Sequence, residues 1–449
     1  MDSLVSRRKW LQVGAISLAG FGPLRVLHGA PSTNPEPVRA CILIFYQGGQ
    51  SHLDTWDMKP NAPAEVRGSF QPIATSVPGL FASEHLPYLS RIVNRLTIVR
   101  SLHHGLTNHL PAAYTTLIGR DPVRGDQLLV GQGRHDPPCL GAAVTSVRHA
   151  QRPGVPPFVA IPHRMWNEMD VPGQSAGFLG STHEPFQVEG DPNESNFHLP
   201  ELELPVGVTR SRLQQRAGLL DTIEGAPTPS GDPDVARRFR SYRSQAMELL
   251  GSETVRNAFE LRSESAAMRD RYGRTKHGQS LLLARRLVEA GVRFVAVYDR
   301  KINGADSWDT HGNNFGMLKD TLLPPADKGL AALIEDLSER GLLESTLVVA
   351  LGEFGRTPRV NGNAGRDHWP FCYCGVLAGG NVREGLVYGS SDRLGAYPDS
   401  NPVTPADMAA TIFWRCGLDP ASEIRDLLGR PHRLADGQPI QTLFNLPVS

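Results

Sequence analysis

A chain of 449 residues with 40% apolar and 20% charged side chains has the composition of a folded globular protein. It is long enough for one large domain with insertions or for two domains. The 46 basic and 46 acidic residues cancel, so the chain lacks the basic excess that is typical of nucleic-acid binding. Composition therefore excludes disorder throughout, and we expect no nucleic-acid partner.

The N-terminal residues have the order of zones that marks an export signal. The segment SRRKWLQ carries the paired arginines Arg7 and Arg8, and the apolar run at 13–22 that follows is too short to span a bilayer. A basic cap on an amphipathic helix is the alternative interpretation. We predict a twin-arginine-type signal peptide over residues 1–30, with the twin-arginine translocase as partner during export. The mature chain is then expected to be periplasmic or secreted, without a membrane span.

Apolar runs of strand type alternate with helical patterns along the rest of the chain. The predicted strands are VRACILIFY, RLTIVRSL, VRFVAVY, TLVVAL and FCYCGVLAGG. The predicted helices include HLPAAYTTLIGR, the segment that ends at Gly291, the segment that ends at Gly341, and TPADMAATIFWRCGL. This alternation predicts an α/β fold with a mostly parallel sheet covered by helices on both faces. Residues 121–235 are rich in proline and glycine, and we expect an irregular insertion or cap there.

Polar residues follow the predicted strands, at the sheet edge where ligands bind in such folds. Those of metal-ligand or acid–base type are Gln47, Ser51, His52, Asp54, Asp57, His103, His104, Asn108, His109, Asp306, Asp309, His311, Glu353, Arg356, Asp367 and His368. They lie beside glycine or proline turns, and polar residues that merely face solvent would not be expected to show this arrangement. The sequence therefore predicts a functional site built from four loops at one edge of the sheet.

Five motifs resemble a known family. FYQGGQSHLDTWDMKP, NHLPAAYTTLIGR, WDTHGNNF, GEFGRTP and GRDHW occur in this order and are similar to those of the exported bacterial family called domain of unknown function 1501. The resemblance spans residues 38–445. It implies an alkaline phosphatase/sulfatase-like domain, because the family is placed in that superfamily.

The superfamily binds up to two divalent metals, and the resemblance implies which residues would hold one here. Asp309, His311 and His368 fit one site, although Asp309 and His311 are closer together in sequence than usual. Two imidazoles and a carboxylate suit Zn, Mn or Fe(II) better than Ca or Mg. Taken singly, Asp309 could form an Asx turn and His368 could be a packed histidine.

The other metal site of the superfamily is altered in this chain. The matching positions are Gln47, Asn108 or His109, and Glu353, so His109 stands where the resemblance implies a hydroxyl or thiol nucleophile. His52 and Asp54 could supply the missing metal position, or they could cap a helix or turn. Arg356 could hold an anionic oxygen, or it could pair with Glu353.

These expectations define two classes of function. The first is an exported metal-dependent hydrolase of sulfate or phosphate esters of small molecules or glycans, with attack by metal-activated water and with His109, Glu353 and Arg356 as catalytic candidates. The second is a catalytically silent exported protein that keeps a metal and binds a glycan or another protein. Loss of the usual nucleophile favours the second class. Ser51 and Thr107 are the nearby hydroxyls that could replace that nucleophile.

Overall fold

The protein's structure is a computed structural model. It describes residues 36–445 apart from 128–132, 168, 203–207, 210, 213–214, 217, 220–221, 223–245, 300–306 and 427. The predicted signal peptide and Asp306 lie outside the described residues. Among the residues that are described, no helix combines the length and the apolar composition that crossing a membrane requires.

A sheet of eight strands forms the centre of the fold. In chain order the strands are β1 (Ala40–Tyr46), β2 (Leu96–Leu102), β3 (Phe158–Ile161), β4 (Phe186–Gln187), β5 (Phe294–Asp299), β6 (Thr346–Leu351), β7 (Tyr373–Gly379) and β8 (Leu386–Tyr388). Their order across the sheet is β8-β2-β7-β6-β1-β5-β3-β4. Strand β7 is antiparallel to its neighbours β6 and β2, and the other adjacent pairs are parallel. The predicted mostly parallel sheet is confirmed.

Helices cover both faces of the sheet. They are α1 (His109–Ile118), α2 (Leu140–Val147), α3 (Glu253–Phe259), α4 (Ala266–Tyr272), α5 (Lys276–Ala290), α6 (Leu323–Glu339) and α7 (Pro405–Arg415). Alternate residues of a strand point to opposite faces. Accordingly, Ile42 and Ile44 of β1 pack in one core with α5 and α6, whereas Leu43 and Phe45 pack in a second core with α1, α2 and α7.

Short elements decorate this frame. Paired strands of two or three residues are Pro72–Ala74 with Phe81–Ser83, Trp166–Asn167 with Met169–Asp170, Gly355–Arg356 with His368–Trp369, Ser390–Ser391 with Pro398–Ser400, and Glu423–Arg425 with Pro431–Arg433. Short helical segments include Ala64–Arg67, Leu89–Arg95, Asn314–Met317 and the π-helical Leu318–Leu322. The ribbon that pairs Arg356 with His368 matters for the site, because it places these two residues side by side in the connection between β6 and β7.

Part of the region 121–235 belongs to the sheet. Helix α2 is largely buried, and strands β3 and β4 extend the sheet beyond β5. The predicted irregular insertion therefore includes one buried helix and two short strands that join the central sheet. Strands of four and two residues are too short to show an alternating pattern, which is why the sequence did not reveal them.

Candidate metal and catalytic site

The site lies at the edge of the sheet where β1, β2, β5 and β6 have their carboxyl ends. Because β7 is antiparallel, its amino end and the His368 loop before it reach the same edge. His109 is the first residue of α1, after the loop that leaves β2. The described structure thus brings loops that are far apart in the sequence to one edge of the sheet.

Asp309 is the centre of this arrangement. Its Oδ1 lies 3.0 Å from His311 Nε2 and 3.1 Å from His368 Nε2, and its Oδ2 lies 3.3 Å from His109 Nε2. Arg356 Nη2 donates to Oδ1 at 2.6 Å. Ligand atoms of His109, Asp309 and His368 all lie within 4.8 Å of one another, which suits a single metal ion.

Arg356 holds the loops around Asp309 in place. Its buried guanidinium donates to the carbonyls of Gly48, Gly49 and Arg366 as well as to Asp309. A Cβ on Gly48 would come within 2.6 Å of the Asp309 amide nitrogen, and its φ of +113° also favours glycine. Of the two roles considered for Arg356, pairing with a carboxylate is therefore observed, but the partner is Asp309 and not Glu353.

Each of the three histidines is fixed through its other ring nitrogen. His109 Nδ1 lies 2.7 Å from Glu353 Oε1, His311 Nδ1 lies 2.7 Å from Asp367 Oδ1, and His368 Nδ1 lies 2.7 Å from the Thr107 carbonyl oxygen. Ionised carboxylates and carbonyls only accept hydrogen bonds. Each Nδ1 is therefore the donor, and each Nε2 faces Asp309.

The surrounding charges shift the pKa values of these groups. Burial would raise the pKa of Asp309, but His109, His368 and Arg356 hold it far below its usual range. Burial lowers the pKa of His368. For His109, the carboxylates of Asp309 and Glu353 outweigh burial and raise the pKa. Asp309 is thus held as an anion, and His368 favours its neutral form.

Glu353 holds His109 and the backbone at Gly48 in place. Its Oε1 accepts from His109 and from the Gly48 amide, at 2.8 Å in the latter case, while its Oε2 is buried without a hydrogen-bond partner among the described residues. His104 Nε2 donates to the Glu353 carbonyl at 2.6 Å, and the Leu106 amide donates to His104 Nδ1. His104 therefore links the β2 and β6 loops.

His52 and Asp54, the candidates for another metal position, have other partners. Arg366 donates to both oxygens of Asp54, at 2.8 and 3.0 Å. Ser51 and Asn314 also donate to Asp54. His52 Nε2 donates to the Gly395 carbonyl at 2.8 Å. Neither His52 nor Asp54 contacts Asp309. The hydrogen bonds of Asp54 instead join three segments of the chain.

Both hydroxyls considered as nucleophiles are engaged. Ser51 Oγ donates to Asp54 at 2.6 Å, and Thr107 Oγ1 donates to Asp126. Asp126 also accepts from the amides of Thr107 and Asn108, so it fixes the turn that leads into α1. Sequence reasoning missed Asp126 and Arg366, because nothing in the residues around them indicates a partner so far along the chain.

Comparison with known families gives one match over most of the chain. A family model described as "Protein of unknown function (DUF1501)" matches residues 38–444. This is the family that the five motifs resemble, so that prediction is confirmed. No curated protein sequence matches the chain.

Several solved structures are similar to the chain at low identity. Ps i-CgsB, solved in complex with k-i-k-neocarrahexaose, has 12% identity and a TM-score of 0.43, with 90% of this chain and 75% of that chain covered. The PsFucS1 sulfatase from Pseudoalteromonas sp. has 13% identity and a TM-score of 0.40, with 92% and 72% covered. The phosphonate monoester hydrolase SpPMH from Silicibacter pomeroyi has 14% identity and a TM-score of 0.39, with 90% and 76% covered.

Proposed function

The chain belongs to the DUF1501 family, whose description assigns no activity, and we propose from its own site that it is a metal-dependent hydrolase of sulfate or phosphate esters. Asp309, His311 and His368 are the proposed metal ligands. The observation that supports this most strongly is the convergence of their three ligand atoms, which lie 3.0 to 3.1 Å from one another. Tetrahedral ligands at zinc bond lengths are separated by about 3.3 Å, close to these values.

The arrangement of His311 and His368 favours a bound cation. His311 and His368 both donate through Nδ1, so in their neutral forms the two rings present unprotonated Nε2 atoms to each other at 3.0 Å. Two lone pairs at this distance repel unless a proton or a metal ion lies between them. A divalent ion placed there would accept both lone pairs and would also face Asp309 Oδ1, which lies 3.0 and 3.1 Å from the two Nε2 atoms.

The remaining side chains suit the handling of an ester. A divalent metal held there would lower the pKa of a water ligand and polarise an ester oxygen. Arg356 keeps Asp309 ionised and in place. The free Oε2 of Glu353 is available to take a proton, with His109 beside it. Because the hydroxyls of Ser51 and Thr107 are hydrogen-bonded to Asp54 and Asp126 and not to the Asp309 cluster, we infer that water attacks instead of a side chain.

We expect protein purified without chelator to carry about one transition-metal ion per chain, because these residues form one site. His311→Ala and His368→Ala should each lose most of this metal, since each removes one of three ligands. Elemental analysis of the purified proteins measures it. His198→Ala is the matched control, because His198 is exposed and its Nδ1 bonds the carbonyl of Asn196, two residues away. Equal metal content in all four proteins would remove His311 and His368 from the site.

Export through the twin-arginine route is part of the proposal. Replacing Arg7 and Arg8 by lysine should leave the precursor inside the cell, because that route recognises the guanidinium pair and not charge alone. Cell fractionation shows where the protein accumulates, and the mass of the protein shows whether the N-terminal signal peptide has been removed. Unchanged secretion of the double variant would indicate an ordinary signal peptide and would leave the proposed location intact.

A further inference from the structure

His109 has the same arrangement as the two histidines already assigned to the metal. Its Nδ1 faces Glu353 Oε1 at 2.7 Å, and its Nε2 faces Asp309 Oδ2 at 3.3 Å. From this geometry, and building on the proposed function, we infer that His109 is a metal ligand. The site is then a centre of three histidines and one carboxylate, and Glu353 is the positioning residue that holds His109.

The protonation of His109 follows from its partners. Glu353 Oε1 already accepts from the Gly48 amide, so this oxygen is fixed as an acceptor and His109 Nδ1 is the donor. The Nε2 atom is buried, makes no hydrogen bond of good geometry among the described residues, and lies 3.3 Å from Asp309 Oδ2. Buried nitrogens without partners are costly, and a metal ion would satisfy this one.

The position of His109 fits the same ion. Asp309 turns Oδ2 toward His109 and Oδ1 toward His311 and His368, so its carboxylate lies between the three imidazoles. The rings of His109 and His368 are 4.3 Å apart between centroids, and those of His311 and His368 are 4.6 Å apart. His368 is thus the middle ring of three that face one carboxylate.

Each imidazole also has the kind of partner that metal-bound histidines have. Ligating histidines usually donate their other N–H to a carboxylate or a carbonyl, which fixes the ring and makes it more basic. Glu353, Asp367 and the Thr107 carbonyl have this role for His109, His311 and His368. Their oxygens come from the loop after β2 and from two positions in the connection between β6 and β7, so two neighbouring parts of the sheet edge orient the ligands.

Charge favours a divalent ion. The carboxylates of Asp309, Glu353 and Asp367 bring three negative charges, and the guanidinium of Arg356 compensates one of them. With neutral imidazoles, two negative charges remain. Three nitrogen ligands also select Zn, Mn or Fe(II) over Ca or Mg, which prefer oxygen. In this arrangement His109 holds the metal and does not carry the proton in catalysis.

X-ray absorption at the zinc edge tests the inference directly, because it counts imidazole ligands. We expect three imidazoles in the reconstituted wild-type protein and two in His109→Ala, with zinc affinity lowered at least about 10-fold. Glu353→Gln keeps His109 but replaces the Oε1 acceptor, and it should lower zinc affinity about 10- to 100-fold. His198→Ala is the control, because His198 is exposed and lies outside the site residues, and it should keep three imidazoles and the wild-type affinity.

Two imidazoles in the wild-type protein, or unchanged zinc affinity in both His109→Ala and Glu353→Gln, would overturn the inference. Ester hydrolysis by such a protein would still support the proposed function. Three imidazoles without hydrolysis of any ester would support the inferred ligand set and contradict the proposed activity. If His109→Ala does not fold, the wild-type imidazole count and the affinity of Glu353→Gln decide the matter.

Discussion

Replacing Asp309 by alanine is expected to lower kcat/KM for aryl sulfates and aryl phosphates by at least about 10³-fold in the presence of added Zn or Mn. Asp309 is the common neighbour of His109, His311, His368 and Arg356. Its loss removes the carboxylate ligand and leaves the buried Arg356 without its counter-ion. Steady-state assays of the wild-type protein and the variant on a panel of esters measure the effect.

Asp399→Ala is the matched control for this assay. Asp399 is an exposed aspartate of a short surface strand, so its removal should change kcat/KM less than about twofold, since such surface substitutions have small effects. Intact-mass spectra of the wild-type protein during turnover should show no covalent adduct on Ser51 or Thr107. If Asp309→Ala kept more than a tenth of the wild-type activity, Asp309 would not be at the reacting centre.

Arg366→Ala is expected to lower the free energy of unfolding by about 3–5 kcal/mol, the usual cost of leaving one member of a buried ion pair alone. Arg366 and Asp54 are both fully buried, and two hydrogen bonds join them. Arg366 also donates to the Val66 and Thr357 carbonyls, which would lose their partner. Urea denaturation followed by fluorescence and circular dichroism measures the change.

Two further variants show whether the unpaired charge is the cause. The double variant Asp54→Ala/Arg366→Ala should be less destabilised than the sum of the two single variants, because it leaves no buried charge behind. Arg262→Ala removes an exposed arginine whose contact with Glu260 is 3.9 Å long, and it should cost no more than about 1 kcal/mol. A similar cost for Arg366→Ala and Arg262→Ala would show that the Asp54 pair does not stabilise the fold.

The elements around the sheet could be predicted because local chemistry determines them. TLVVAL is a strand with the predicted bounds, Thr346–Leu351. Helix α1 ends where Gly119 adopts a left-handed conformation, and α7 begins at Pro405, directly after Thr404, whose side chain caps it. These signals involve residues that are neighbours in the chain, so one sequence is enough to reveal them.

The sequence also identified the residues of the proposed site but not all of their partners. His109 and Glu353 are 244 residues apart, and Asp54 and Arg366 are 312 residues apart. No local pattern determines which carboxylate meets which base, because the pairing depends on how the loops meet at the sheet edge. For the same reason Asp54 could be listed beside the metal candidates, although Arg366 binds both of its oxygens.

Removal and return of the metal is the most direct measurement of the proposed activity. Protein treated with a chelator and dialysed should lose ester hydrolysis while keeping its circular dichroism spectrum, and about one equivalent of Zn or Mn should restore the activity. Undiminished hydrolysis by the metal-free protein would contradict metal dependence. Absence of hydrolysis on every ester, with the metal bound and the fold intact, would contradict the enzyme and favour a metal-containing binding protein.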